Sequence, residues 1–302
     1  MTTKPDRRAS RLCTVADAVD QIAPGMVVGI GGFINSSHPM LIVREIIRRG
    51  LRDLTIVGAA SAGLETDMLI ASGCVKRVIS TYVGGEALAP IGPAFRAAAE
   101  SGKLDVFELD EALFYAGLRA AAQRLPFNPW KGGVGTSIPE VNPALKTFAD
   151  PISGETLIAV PAFNIDVAFF HAAHSDIYGN VQYVGHGWGD RAIWAASDRS
   201  YVQVEKIITN DDVRREPLKT LIPGATGVIR APFGAHPFAS PGFYVEDRKI
   251  IGDYVQAATR WAKDGDFSAL AAFLDRFVRE PADHYEYLER VGLRQLLGLH
   301  EY

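Results

Sequence analysis

Short apolar runs alternate with amphipathic stretches along most of this 302-residue chain, and that alternation limits the fold more than any other feature. Met26–Phe33 reads as a strand buried on both faces, Leu54–Gly58 as a second buried strand and Val75–Val83 as a third strand. Val15–Ile22, Pro39–Arg49 and Thr66–Ser72 carry helical spacing, with Thr14 an N-cap and Gly50 a stop. The pattern continues through a helix over Pro93–Ser101, a strand over Leu104–Glu108 and a helix over Glu111–Arg124. Later strands are expected at Thr156–Val160, Val167–Ala173, Tyr201–Ile208 and Val228–Ala231, with a helix at Asp190–Ala196 and an amphipathic helical tail from Ile251 to Leu297. Strands separated by helices predict an α/β fold, a mostly parallel open sheet with helices on both faces. Leu125–Glu155, rich in proline and glycine without a period, is expected to be a long loop. Residues 1–12 read as a loose polar arm ahead of one domain over 13–302.

Composition narrows the class. With 48% hydrophobic and 22% charged residues, the chain holds enough apolar surface for a packed core. A net charge of -4 argues against a nucleic-acid partner. Two cysteines, Cys13 and Cys74, exclude a disulfide framework and fit reduced thiols in a cytoplasm. No uninterrupted apolar run reaches membrane-spanning length, and Arg11, Asp17 and Asp20 fall where a signal peptide would need apolar residues.

The chemistry-bearing residues cluster where strands end. Gly29-Ile-Gly-Gly-Phe33 closes the first strand and leads into a helix through His38-Pro39. Ligands of open α/β sheets bind there, but the third glycine of a dinucleotide motif is replaced by Ile34. Gly58-Ala-Ala-Ser-Ala-Gly63 is a second small-residue turn, offering the hydroxyls of Ser61 and Thr66, and the two turns are expected to converge. Glu108-Leu-Asp-Glu111 opens a helix. Asp110 suits a cap, and Glu111 fits either a solvated first-turn position or an acid–base role near the apolar face of Leu113 and Leu118. Lys131, within a glycine-rich stretch that is not a P-loop, and His236, able to titrate near neutrality, are further candidates. Phe33, Phe127, Trp130 and Phe233 hint at an apolar pocket. No metal-ligand spacing and no nucleophile elbow is found.

Taken in order, Gly29–Phe33 with Pro39, Asp53-Leu-Thr, Asp67–Lys76, Ala122–Pro129, Gly179-Asn180, Ala231–Pro237 and Asp283–Leu288 resemble the class I coenzyme A transferases, most closely the A (alpha) subunit of the glutaconate CoA-transferase type. The resemblance implies the CoA-transferase (NagB/RpiA-like) fold. It also implies a heteromer with a similarly folded B (beta) subunit, whose glutamate takes up coenzyme A as a thioester. This chain would be inactive alone, would act on acyl-CoA and carboxylic acid substrates with no membrane partner, and would hold no permanent cofactor or metal, coenzyme A being a substrate. Gly31, Gly32 and Phe33, with Ser61 beside them, would line the acyl pocket, their amides stabilising an oxyanion. Glu111 stands where chains of the A type tend to carry glutamine. A related branch, the IpdA-like steroid ring-opening hydrolases, has a glutamate in this region, which implies Glu111 as general base in the alternative reading. Against that branch, this first turn lacks the Arg-Arg-Lys-Pro-Met pattern.

Overall fold

The computed structural model describes residues 9–300. Of the arm expected over 1–12, residues 1–8 lie outside the described residues. The rest is tied down at its end, where the Arg11 N–H donates to the Ile177 carbonyl (2.7 Å) and the Val228 N–H donates to that of Arg11 (2.8 Å).

The first half winds outward from one strand. Helix α1 (Val15–Val19), closed by a Thr14–Asp17 capping box, precedes β1 (Val27–Ile30) and α2 (Met40–Arg48). Then come β2 (Leu54–Val57), β3 (Ser61–Ala62), α3 (Leu64–Ala71), β4 (Val75–Ile79), β5 (Tyr82–Val83), α4 (Pro93–Glu100), β6 (Asp105–Val106) and α5 (Glu111–Ala122). The strand expected over Val75–Val83 is broken because the Ser80 hydroxyl donates to the Ala59 carbonyl (2.8 Å) and that of Tyr82 (2.9 Å), turning a corner into β5.

The expected loop Leu125–Glu155 is largely ordered structure. It contains β7 (Phe127–Trp130), α6 (Ile138–Val141) and β8 (Lys146–Ala149), and both strands pair antiparallel with β9 (Thr156–Pro161) in a separate three-stranded sheet. Proline at 129 and exposed alternate positions hide these short strands from a periodicity reading. The chain then re-enters the main sheet through β10 (Val167–Ser175), β11 (Asn180–Gln182), α7 (Asp190–Ala195), β12 (Ser200–Ile207), α8 (Asn210–Arg215), β13 (Thr220–Pro223) and β14 (Gly227–Arg230). Four helices follow, α9 (Arg248–Asp264), α10 (Ser268–Leu274), α11 (His284–Val291) and α12 (Leu293–Leu297).

Seven parallel strands run in the order β14-β12-β10-β1-β2-β4-β6, with β11 and β13 added antiparallel beside the far end of β10. This is the expected α/β class. Alternation sets the two cores. Val28, Ile30, Ile56 and Phe169 face a layer built from α1, α2, α3, α9 and α10, whereas Val57, Ala168, Phe170 and Val202 face α5, α7 and the small sheet. Because the chain leaves β1 in one direction and returns to its other side as β10, the topology reverses between them. In open α/β sheets ligands bind in the crevice at such a reversal, outside the carboxyl ends of the strands.

Candidate active site

The turn after β1 is built inward. Gly31 sits against the Phe170 ring and the Asp190 carboxyl, where a Cβ would approach Phe170 Cδ1 to 2.5 Å and Asp190 Oδ1 to 2.7 Å. Gly32 has φ +104°, a region glycine enters freely. All three amides of the turn are already donated: Gly31 to the Phe169 carbonyl (2.9 Å) and Phe33 to that of Ser36 (2.8 Å), and Gly32 to Asp190 Oδ1 (2.9 Å). The oxyanion-donor role expected of these amides is therefore closed in this geometry. What the turn offers instead is the half-buried Phe33 ring.

Asp190 anchors the turn from the first position of α7. Its second oxygen accepts the Tyr183 hydroxyl at 2.8 Å. Burial pushes the carboxyl up to about 7, and the Gly32 amide and Tyr183 hydroxyl offset only part of that. The Tyr183 phenol is in turn held well above its usual range by burial and by the neighbouring Asp190 charge. A carboxyl whose folded pKa is raised binds a proton that the unfolded chain has already released. Wild type should therefore lose stability relative to Asp190→Asn as pH rises from about 4 to about 7, by up to roughly 4 kcal/mol at ~1.4 kcal/mol per pH unit. Tm measured against pH for both proteins checks this; parallel curves would contradict it.

Two buried histidines pin the surroundings. Each ring nitrogen of His38 lies 3.0 Å from a carbonyl oxygen, of Gly31 and of Ile34, with Glu65 Oε2 at 3.3 Å from Nε2. The expected convergence of the two small-residue turns is present, since the Ile34 N–H donates to the Ser61 carbonyl at 3.0 Å. Ser61 is half-buried there, and the Thr66 hydroxyl is spent on Glu65 Oε1 (2.8 Å). On β10, His171 Nδ1 accepts from the Gln203 amide (2.9 Å), whose own oxygen accepts the Ile42 N–H (3.3 Å). The His171 proton therefore sits on Nε2, between Ser240 Oγ (2.9 Å) and Glu205 Oε1 (3.2 Å). Burial raises the Glu205 carboxyl, but hydrogen bonds from His171, Tyr244 and the Phe233 amide outweigh it and hold the group below its ordinary value. Left-handed residues gather at this end of the sheet, at Ile34, Ser37, Glu86, Trp188 and Phe233.

The other candidates distribute unevenly. Asp110 caps α5 through the Leu113 amide (2.8 Å). Glu111 is exposed on the first turn of that helix, not enclosed by its apolar face, one helical turn before Tyr115. Burial, then the charges of Glu111 and Asp190, raise the Tyr115 phenol. Lys131 pairs with Glu155 at 2.8 Å on the exterior. His236, which the sequence offered as able to titrate near neutrality, is buried between Tyr287 (2.6 Å) and Asp247 (3.1 Å), and burial lowers its pKa despite Asp247. Phe127 packs on Phe148 and Trp130 lies under Arg119, both on the small sheet. Phe233 stacks on Tyr244. Among the described residues, no group of three or more His, Cys, Asp or Glu is placed to hold a metal ion, and no helix is long and apolar enough to cross a membrane.

Sequence reasoning missed Asp190, Tyr183 and Trp188. The signal was the alternation Gly185-His-Gly-Trp-Gly189, which precedes Asp190 and brings Trp188 onto Phe33 with ring centroids 4.1 Å apart.

Residues 13–227 match the family described as coenzyme A transferase. The chain is 34% identical over 266 residues to the cholesterol ring-cleaving hydrolase IpdA chain of Mycobacterium tuberculosis, covering 84% of this chain and 89% of that one. It is 32% identical over 309 residues to the A-type chain of glutaconate CoA-transferase from Acidaminococcus fermentans, covering 96% and 94%. The crystal structure of glutaconate coenzyme A-transferase from the same organism aligns with a TM-score of 0.88 at 30% identity, over 97% of this chain and 96% of that one.

Proposed function

The chain belongs to the coenzyme A transferase family, and we propose that it is the A-type half of a two-chain enzyme that moves coenzyme A between carboxylic acids. The observation that carries this reading is the state of the carboxylates behind the crevice. Asp190 and Glu205 are fully or almost fully buried and bound to neighbouring donors, and Glu65 is fully buried, with Oε1 accepting from Gly63 and Thr66 and Oε2 lying 3.3 Å from His38 Nε2, so none of the three is presented as an acyl acceptor. The resemblance to CoA-transferase A-type chains implies that the acceptor is a glutamate of a B-type partner. Its carboxylate attacks the thioester carbonyl and releases the coenzyme A thiolate, leaving a mixed anhydride. The thiolate returns to the glutamyl carbonyl, forming the glutamyl thioester and freeing the first acid; the acceptor acid reverses both steps. This chain supplies one wall of the cleft: the turn Gly31–Phe33 braced by Asp190 and His38, with Ser61 beside it. Coenzyme A is a substrate here, not a resident cofactor. The two free thiols, Cys13 and Cys74, both pushed up to about 11 chiefly by burial, fit a cytoplasmic setting.

A ring-opening hydrolase is the second reading, and what favours it is Glu111, exposed one helical turn before Tyr115, whose hydroxyl packs near Gly189. A general base supplies about 10²–10⁴ in rate. In the reconstituted pair, Glu111→Gln should change thioester exchange by less than about tenfold; a loss in the general-base range, with hydrolysis as the main activity, would favour the hydrolase instead.

A further inference from the structure

Trp188 is the odd side chain beside the turn after β1. It is 47% exposed, although an indole carries one of the largest apolar surfaces a side chain has. Its backbone is left-handed (φ +43°), a conformation sparsely populated by residues with a Cβ. The exposure does not come from a loose segment. Gly187 lies so close to Leu221 of β13 that a Cβ would overlap that side chain, and Gly189 packs near the Tyr115 hydroxyl. One residue further on, Asp190 is locked to Gly32 and Tyr183. The segment is thus fixed on both sides of an indole that is held out. Phe33 stacks on it almost parallel, at an interplanar angle of 11°, and the His186 ring lies 5.4 Å from it. Phe33 covers one face of the indole and the His186 ring is tilted 37° to it, so the stacked pair forms a platform continuous with the turn after β1.

We propose that Trp188, backed by Phe33, is the specificity-determining side chain of this half of the enzyme, and that it selects acyl groups with a flat, π-bearing carbon skeleton. This rests on the transferase reading above. A rigid indole at a cleft offers a stacking face whose attraction to a planar group exceeds its attraction to a saturated chain of equal size, while a small aliphatic group gains little from it. The coenzyme A adenine is also flat, so the test separates the two.

The test uses the chain co-expressed with its B-type partner, measuring kcat/KM for benzoyl-CoA and butyryl-CoA and for the corresponding acyl-pantetheines, which lack adenine. Trp188→Ala should lower the benzoyl-to-butyryl ratio by about fivefold to tenfold, Trp188→Phe should retain most of it, and the drop should persist with the pantetheine thioesters. An unchanged ratio would overturn the proposal. So would an equal fall in kcat/KM for both acyl groups with coenzyme A that disappears with pantetheine, which places adenine on the shelf. So would loss of the partner from purified Trp188→Ala, which makes the indole an interface residue. A wild-type pair that exchanges no acyl group would instead remove the transferase reading itself.

Discussion

Gly31→Val should lower Tm by on the order of 5–10 °C and take turnover down with it. The glycine sits where the turn after β1 is closest to the core, and its missing side chain is not facing open space. A Cβ at Gly31 would press on Phe170 Cδ1 and on the Asp190 carboxyl at 2.5 and 2.7 Å, inside van der Waals contact. Phe170 belongs to the core of β10 and cannot retreat without opening a gap. Asp190 cannot retreat without releasing the Gly32 amide and the Tyr183 hydroxyl. Overpacking of this kind costs about 1–3 kcal/mol, and leaving a buried polar group unpaired adds about as much. From the glycine pattern alone, valine is expected to block substrate and spare the fold. The neighbours reverse that expectation. Thermal unfolding checks it directly: a variant with wild-type Tm and no turnover would restore the blocking explanation.

That reversal shows what is and is not legible in the chain. The buried strands announce themselves because Val28, Ile56 and Phe169 lie in runs that are apolar on both faces, and such runs have few other homes. The caps Thr14 and Asp110 are legible for the same local reason, each being a short acceptor placed before a helix. Non-local relations are not legible. Nothing near Gly32 in sequence says that its amide goes to Asp190, 158 residues away. Nothing near His236 says that Tyr287 and Asp247 enclose it. Glu111 can be read two ways because its helix does have an apolar face, and only the packing of α5 on α7 and the small sheet decides that the carboxylate points outward. Residues 125–155 look structureless because their strands pair at a half-exposed sheet, where alternation is weak and Pro129 breaks the pattern.

The largest effect concerns the absent half of the cleft. On the proposed reading the acceptor belongs to the partner, so this chain alone should exchange thioesters at least roughly 10³-fold more slowly than the pair, the scale on which removal of a nucleophile is felt. A residual rate at that level would reflect binding and positioning alone. The account stands most directly on where coenzyme A becomes attached. Incubating the pair with acyl-CoA, reducing with borohydride and weighing each chain by mass spectrometry should reveal a modified glutamate on the partner and leave this chain at its unmodified mass. Modification of this chain, or exchange at the full rate by this chain alone, would contradict the account.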